Sequence, residues 1–368
     1  MKKALYLLLT VVAAALAIRL YPTAVSGMPF SVDAWPLIRN TELLLQNTPT
    51  SIVTDIFDGY NNYWPGSQMF GAVLSQVTGL SPAVAMAWGI PVAAASAVPI
   101  FYLLVKRVTQ SQTISLAAAF LLATAFPYAL FTAGVTKETL ASPLYISVLL
   151  IFLLRHNWKT AALFSVVSAA LILTHHLTAF FAITSVAGLT IAFLISKNIQ
   201  QPQNSFRSNF VFFVILSAAT ALYFGLFAYP AFTLTVTAAD MLSLGAYEAL
   251  LFGLSIYVAY SAKPPAAKKT LAYCAIWLLM ISLVVILVTQ VPLMPGAPTL
   301  PPHYLFYALP FIAGMPLAIY AFKDLRHRTP SLLTPLFWVV TAGAFSLFAL
   351  FANLPGGVGL FYRSINFV

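Results

Sequence analysis

Long apolar runs that alternate with short polar gaps constrain this chain more than any other feature. Each run holds about 18–22 residues, which lets a helix cross roughly 30 Å of hydrocarbon. The runs recur along all 368 residues, of which 61% are hydrophobic and only 7% are charged. A water-soluble core cannot hold so much apolar surface, so the sequence predicts an integral membrane protein with a single multi-pass domain over residues 1–368.

The apolar runs predict an all-α, polytopic protein with about 11 transmembrane helices. No polar loop divides residues 160–195, and we interpret that stretch as two short spans that meet at Thr174-His175-His176. Lys2-Lys3 and the apolar run after it resemble a signal peptide, but no convincing small-residue cleavage site follows, so we expect a retained first helix. The predicted spans are 4–20, 82–105, 114–131, 140–154, 160–176, 178–195, 209–232, 242–262, 271–291, 304–322 and 332–352.

The distribution of charge predicts the orientation. With these spans, every Lys and Arg except Arg19, Arg39, Lys137 and Arg363 falls on one face, which the positive-inside rule assigns to the cytoplasm. We therefore expect a cell-membrane protein with a cytoplasmic N-terminus and an extracytoplasmic C-terminus. The carboxylates, except Asp324, fall on the outer side, so acid–base chemistry is expected there. The net charge of +10 does not indicate nucleic acid, because the basic residues lie at helix ends.

The first outer loop, residues 21–81, contains most of the polar sequence outside the spans. Residues 34–45 and 69–80 both repeat apolar side chains at helical spacing, and neither stretch is long enough to span comfortably. We predict two amphipathic interfacial helices whose apolar faces point toward the membrane. The segment between them is rich in aromatic side chains, including Trp64, which suit the headgroup level or stacking on a sugar ring.

The order of these segments resembles the GT-C superfamily of membrane glycosyltransferases, especially its prokaryotic or archaeal mannosyltransferase-like and oligosaccharyltransferase-like members. Asp33 has no carboxylate two residues later, and a WWDYG-type motif is not found in the sequence. The segments that carry the resemblance are Val32-Asp33-Ala34-Trp35, Tyr63-Trp64-Pro65-Gly66, Thr78-Gly79-Leu80-Ser81-Pro82, Leu173-Thr174-His175-His176-Leu177-Thr178 and Pro302-His303-Tyr304-Leu305-Phe306-Tyr307-Ala308-Leu309-Pro310.

The resemblance implies catalysis at the outer face, with a polyprenyl-phosphate-linked sugar as donor and the early loop carboxylate as base or metal ligand. We expect Asp33 and Glu138 to be the catalytic acids. Asp33, Asp55 and Asp58 are the candidate ligands for a divalent cation, Mg²⁺ or Mn²⁺. The candidate substrate-binding residues are Lys137, His175, His176, His303, Arg363 and Trp64.

Each candidate residue also has a structural interpretation. Asp33 precedes an amphipathic helix and is a candidate N-cap. Asp55 and Asp58 can be solvated loop charges, and Glu138 is favoured near a helix start by the helix dipole alone. His175 and His176 can cap exposed backbone at a tight turn. His303 allows the same two interpretations, and Arg363 can bind lipid phosphate or belong to a solvated terminus.

Two other functions remain open at this stage. A secondary transporter would use Pro91, Pro99 and Pro230 to break helices and Glu248 to carry a proton. A non-catalytic membrane subunit of a larger complex would tolerate an incomplete catalytic set. The expected partners are the lipid bilayer and a lipid-linked sugar donor, with other membrane proteins as candidates and nucleic acid excluded.

Overall fold

The computed structural model describes residues 2–47, 57, 59–195 and 206–231, together with isolated helical positions between 242 and 290. These residues contain helices and no strand, so the all-α prediction is confirmed for this part of the chain. The chain divides into two units, residues 1–252 with 334–368 and residues 253–333. Every helix described below belongs to the first unit, and the described positions of the second unit are helical. The predicted spans 304–322 and 332–352 lie outside the described residues.

Eleven α-helices run through the described part of the first unit. Four helical segments there are long and apolar enough to cross a membrane: Lys3–Ser26, Pro82–Thr109, His176–Phe193 and Phe206–Ala231. The helices are α1 Lys2–Ser26, α2 Ala34–Gln46, α3 Gly66–Thr78, α4 Pro82–Ala95, α5 Ala97–Thr109, α6 Gln112–Thr124, α7 Phe126–Phe131, α8 Lys137–Phe152, α9 Trp158–Thr174, α10 His176–Ile195 and α11 Phe206–Tyr223. Short 3₁₀ turns cover Gly59–Tyr63 and Tyr229–Ala231, and a π-helical turn covers Phe224–Ala228.

Two predicted spans are interrupted. The span predicted at 82–105 consists of α4 and α5, which are separated at Ser96. The span predicted at 114–131 consists of α6 and α7, which are separated at Ala125. Pro127 lies in the first turn of α7, where its missing N–H costs little, and it cannot continue the hydrogen bonds of α6.

The stretch 160–195 forms two helices, as predicted from the charge distribution. α9 ends at Thr174 and α10 begins at His176, with His175 between them in an extended conformation (φ −156°, ψ 119°). His175 is buried at this junction. The two helices therefore meet at a one-residue corner that holds an imidazole inside the protein.

The two amphipathic helices of the first loop bury different kinds of surface. α2 buries the apolar face that its periodicity predicts, but against protein, including Met86 and Ile90, rather than toward the membrane. α3 buries a face of small and polar residues, while Met69, Val73 and Val77 are exposed. The exposed apolar stripe of α3 agrees with an interfacial helix whose apolar side faces lipid.

α8 is the central helix of the described unit, since it packs against α4, α5, α9 and α10. Almost all of its side chains are buried, from Lys137 at its start to Phe152 at its end. Arg107 Nε donates to the carbonyl oxygen of Leu153 (3.1 Å), just after the helix ends. Arg107, one of the basic residues assigned to the cytoplasmic face, thus lies at the opposite end of α8 from Lys137.

Candidate functional site

The start of α2, the start of α8 and the α9–α10 corner surround one cavity of about 150 Å³. Four of the residues singled out in the sequence line it, namely Asp33, Lys137, Glu138 and His175. The other lining residues are Pro36, Leu37, Tyr60, Asn61, Phe131 and Thr136. The volume has room for several water molecules or for the polar part of one small ligand. Two carboxylates, an amine and an imidazole from three separate parts of the sequence therefore share one space.

Direct contacts between the 27–33 and 132–136 loops hold the starts of α2 and α8 together. The Val135 N–H donates to the Phe30 carbonyl oxygen at 2.9 Å. A Cβ placed on Gly134 would lie 3.2 Å from Ser31 Cβ, so the two loops approach each other closely here. Ser31 adopts a left-handed conformation (φ 95°), which costs a non-glycine residue energy. The left-handed residue Ser31 thus lies in the short loop that leads to Asp33 at the cavity.

Asp33 occupies the N-cap position of α2 without acting as a side-chain cap. Its backbone is already helical (φ −65°, ψ −12°), and its carboxylate makes no hydrogen bond to the first turn of the helix. The Asp33 N–H instead donates to Ser31 Oγ at 3.3 Å. The N-cap interpretation is therefore wrong for the side chain, and the exposed carboxylate lines the cavity.

Lys137 is a buried amine at the first position of α8. Its side chain is 5% exposed, and within the described part of the chain Nζ makes no hydrogen bond. Nζ lies 4.3 Å from the centre of the Tyr60 ring and 5.9 Å from that of Trp64. Burial lowers the pKa of Lys137 from 10.5 to about 7, because desolvation disfavours the charged form. Lys137 therefore loses its proton more readily than a solvated lysine does.

Glu138 follows Lys137 in the first turn of α8 and is 3% exposed. Thr136 caps this helix, with its Oγ1 accepting from the Thr139 N–H at 3.0 Å. The N-terminus of a helix stabilises a nearby carboxylate, which offsets part of the cost of burying Glu138. The same turn therefore brings an acid and a base to one wall of the cavity.

The rings of the adjacent residues His175 and His176 lie 5.0 Å apart and have different further partners. His175 Nδ1 lies 2.7 Å from Thr178 Oγ1, and the Thr178 N–H donates to Nδ1 at 3.4 Å. A neutral His175 that accepts at Nδ1 carries its proton on Nε2 and is a donor at that atom. His176 packs its ring 4.6 Å from that of Trp64 and edge-on to Tyr60. His175 lines the cavity, and His176 belongs to an aromatic group beside it.

Trp64 lies in that aromatic group. Its side chain is 2% exposed and contacts the rings of Tyr60, Tyr63, His176 and Phe224. Trp64 is not among the residues that line the cavity. The nearby Tyr223 hydroxyl donates to the Tyr63 carbonyl oxygen at 2.6 Å, which ties this loop to the end of α11.

The other predicted site residues, Asp55, Asp58, His303 and Arg363, lie outside the described residues. Among the residues that the structure does describe, no group of three His, Cys, Asp or Glu side chains is arranged to hold a metal ion. The divalent cation predicted for Asp33, Asp55 and Asp58 therefore stays a prediction.

Tyr60, Asn61 and Thr136 line the cavity but are not among the site residues that the sequence predicts. Thr136 had a usable signal, since it directly precedes a helix start and has the type of an N-cap. Tyr60 and Asn61 lie in the aromatic-rich segment of the first loop, but the sequence does not say that this segment folds against α8.

No family model and no curated protein matches this chain. The interpretation of the cavity therefore depends on its own residues.

Proposed function

We propose that this protein transfers a sugar from a polyprenyl-phosphate carrier to an acceptor hydroxyl at the extracytoplasmic face of the membrane. The observation that carries the proposal is the shared cavity, in which the Asp33 carboxylate and the buried Lys137 amine line one space. A transfer of this kind needs a base for the acceptor and a cation for the departing phosphate.

In the proposed reaction, Asp33 takes the proton of the acceptor hydroxyl as the hydroxyl oxygen attacks the anomeric carbon. The bond between that carbon and the phosphate oxygen breaks, and the polyprenyl phosphate leaves with the electron pair. The Lys137 ammonium stabilises the negative charge on the phosphate, and a His175 protonated at Nε2 is a second donor. Glu138 is a supporting acid in the first turn of α8.

A lipid-borne donor agrees with the surroundings of the cavity. The sequence contains no glycine-rich P-loop that would hold a nucleotide. α3 starts at Gly66, soon after the cavity residues Tyr60 and Asn61, and carries the exposed apolar stripe of Met69, Val73 and Val77. An exposed apolar stripe and part of a cavity lined by charged side chains, both carried by the first loop, suit a ligand with a lipid tail and a charged, sugar-bearing head.

The proposal is tested with purified protein in proteoliposomes that contain a polyprenyl-phosphate-linked sugar and an acceptor. Asp33→Asn is expected to lower the initial rate of sugar transfer at least about 100-fold, the usual effect of losing a catalytic base. Glu42→Gln is the matched control, because Glu42 is an exposed carboxylate on the same helix that does not line the cavity. Its rate should equal that of the unchanged protein.

Two results would overturn the proposal. One is an unchanged protein that transfers no sugar to any acceptor hydroxyl, which would favour the non-catalytic subunit. The other is a substrate flux across the vesicle membrane that survives Asp33→Asn, since that result would favour a secondary transporter.

A further inference from the structure

Tyr60 is the described residue whose ring lies nearest the Lys137 amine. Its ring centre is 4.3 Å from Nζ, well inside the roughly 6 Å limit for a cation–π contact, whereas Trp64 at 5.9 Å is at that limit. Tyr60 and Lys137 both line the cavity, and Tyr60 is 47% exposed while Lys137 is 5% exposed. The amine and the ring that contacts it therefore belong to the same cavity wall.

Other aromatic side chains fix the position of the Tyr60 ring. It packs 5.6 Å from the Trp64 ring and edge-on to His176 at 6.2 Å. The backbone at Gly59 is left-handed (φ 57°), and it begins the 3₁₀ turn that carries Tyr60. The Tyr60 ring thus packs against Trp64 and His176 and also contacts the Lys137 amine, which makes no hydrogen bond within the described part of the chain.

The charge state of Lys137 depends on a balance between its surroundings. Desolvation favours the neutral amine. The face of an aromatic ring attracts only the charged form, and the attraction is stronger away from water. Within the described part of the chain, the other titratable groups that line the cavity are Tyr60, Asp33, Glu138 and His175, and the His176 ring packs edge-on to Tyr60. Two carboxylates favour the ammonium, and a protonated histidine would oppose it.

We propose that Tyr60 is a positioning residue whose ring holds the Lys137 amine at the cavity wall and stabilises its charged form, which is the form that binds an anion. The holding of Lys137 is independent of the reaction, whereas the identity of the anion as a phosphate group rests on the proposed function. Tyr60 itself contacts Lys137 and is not required to touch the reacting atoms.

The experiment measures the protonation of Lys137 directly in the unliganded protein. Acetic anhydride acylates only neutral amines, and mass spectrometry of the peptide that contains Lys137 gives its acylation rate at each pH. Tyr60→Leu removes the aromatic face but keeps an apolar side chain that limits entry of water. This variant is expected to lower the pH midpoint of acylation by about 0.5–1 unit. Tyr60→Phe keeps the ring and should leave the midpoint unchanged.

Tyr63→Leu is the matched control, because Tyr63 lies in the same 3₁₀ turn and contacts Trp64 but does not line the cavity. It should leave the midpoint in place. If Tyr60→Leu does not yield folded protein, Tyr60→Met removes the ring in the same way.

The proposal is overturned if the ring-less variants keep the original midpoint or raise it, or if Tyr60→Phe moves it as far as Tyr60→Leu. Lack of acylation of Lys137 at any pH would also overturn it, because the amine would then not face the open cavity. A shifted midpoint in a protein that transfers no sugar would leave this inference standing and remove the proposed function alone.

Discussion

Gly66 lies so close to Thr174 that a side chain does not fit between them. A Cβ on Gly66 would lie 2.8 Å from Thr174 Cα and 3.1 Å from the Leu173 carbonyl oxygen. This contact joins the start of α3 to the end of α9, one residue before His175. Because Tyr60 precedes Gly66 in the same loop, the contact helps to place the Tyr60 side of the cavity against the His175 side.

Gly66→Ala is therefore expected to destabilise the protein, because the two backbones must move apart to admit a methyl group. Overpacking of this kind costs about 1–3 kcal/mol, so the melting temperature in detergent should fall by about 3 °C or more. Gly225→Ala is the control, since a Cβ there meets nothing within 4 Å. Equal melting temperatures for the two variants would contradict the close approach.

The contact between the 27–33 and 132–136 loops predicts that two cysteines introduced there will form a disulfide. In a Cys274→Ser background, Ser31→Cys and Gly134→Cys place two Cβ atoms about 3.2 Å apart, slightly closer than the usual range for a disulfide. Mild oxidation should link them, and non-reducing mass spectrometry detects the joined peptides. Each single variant is the control. Failure of the double variant to cross-link would mean that the loops carrying Asp33 and Lys137 do not meet.

Lys137 predicts a dependence of stability on pH. Its pKa is about 7 in the folded protein and 10.5 as the ordinary value, so the unfolded chain binds more protons between these limits. Stability rises with pH wherever the unfolded state binds more protons. The melting temperature of the unchanged protein should therefore rise from pH 7 to pH 10 relative to that of Lys137→Met.

Below pH 7, Lys137→Met should be the more stable protein, because it removes a buried charge at little cost in packing. Lys159→Met is the control, since Lys159 is exposed, and it should parallel the unchanged protein at every pH. If the melting temperatures of Lys137→Met and of the unchanged protein changed with pH in the same way, the Lys137 amine would not be desolvated.

The sequence predicted those features that follow from local pattern and charge. The period of 34–45 predicts the buried face of α2, and the distribution of basic residues predicts the division of 160–195 at His175. The predicted topology assigns Asp33, Lys137, Glu138 and His175 to the same side of the membrane, because alternate helix ends share a side. The structure brings these four residues to one cavity.

The remaining features depend on contacts between distant segments, which the sequence pattern does not encode. The periodicity of 69–80 predicts an amphipathic helix, but it does not say that the face with Ser67 and Gly71 would pack against α4. Trp64 has the residue type of a sugar platform, and only the fold buries it among other rings. The contact of Tyr60 with Lys137 joins the first loop to the start of α8, and tertiary packing sets that approach.

The central claim is that Asp33 and Lys137 act on one ligand in one cavity, and a double-mutant cycle on sugar transfer tests it most directly. We expect Asp33→Asn and Lys137→Met each to lower kcat/KM at least about 100-fold. Since groups that act as a unit are strongly non-additive, the double variant should be little slower than the slower single variant. Losses that multiply in the double variant, or a single variant with full activity, would contradict the account.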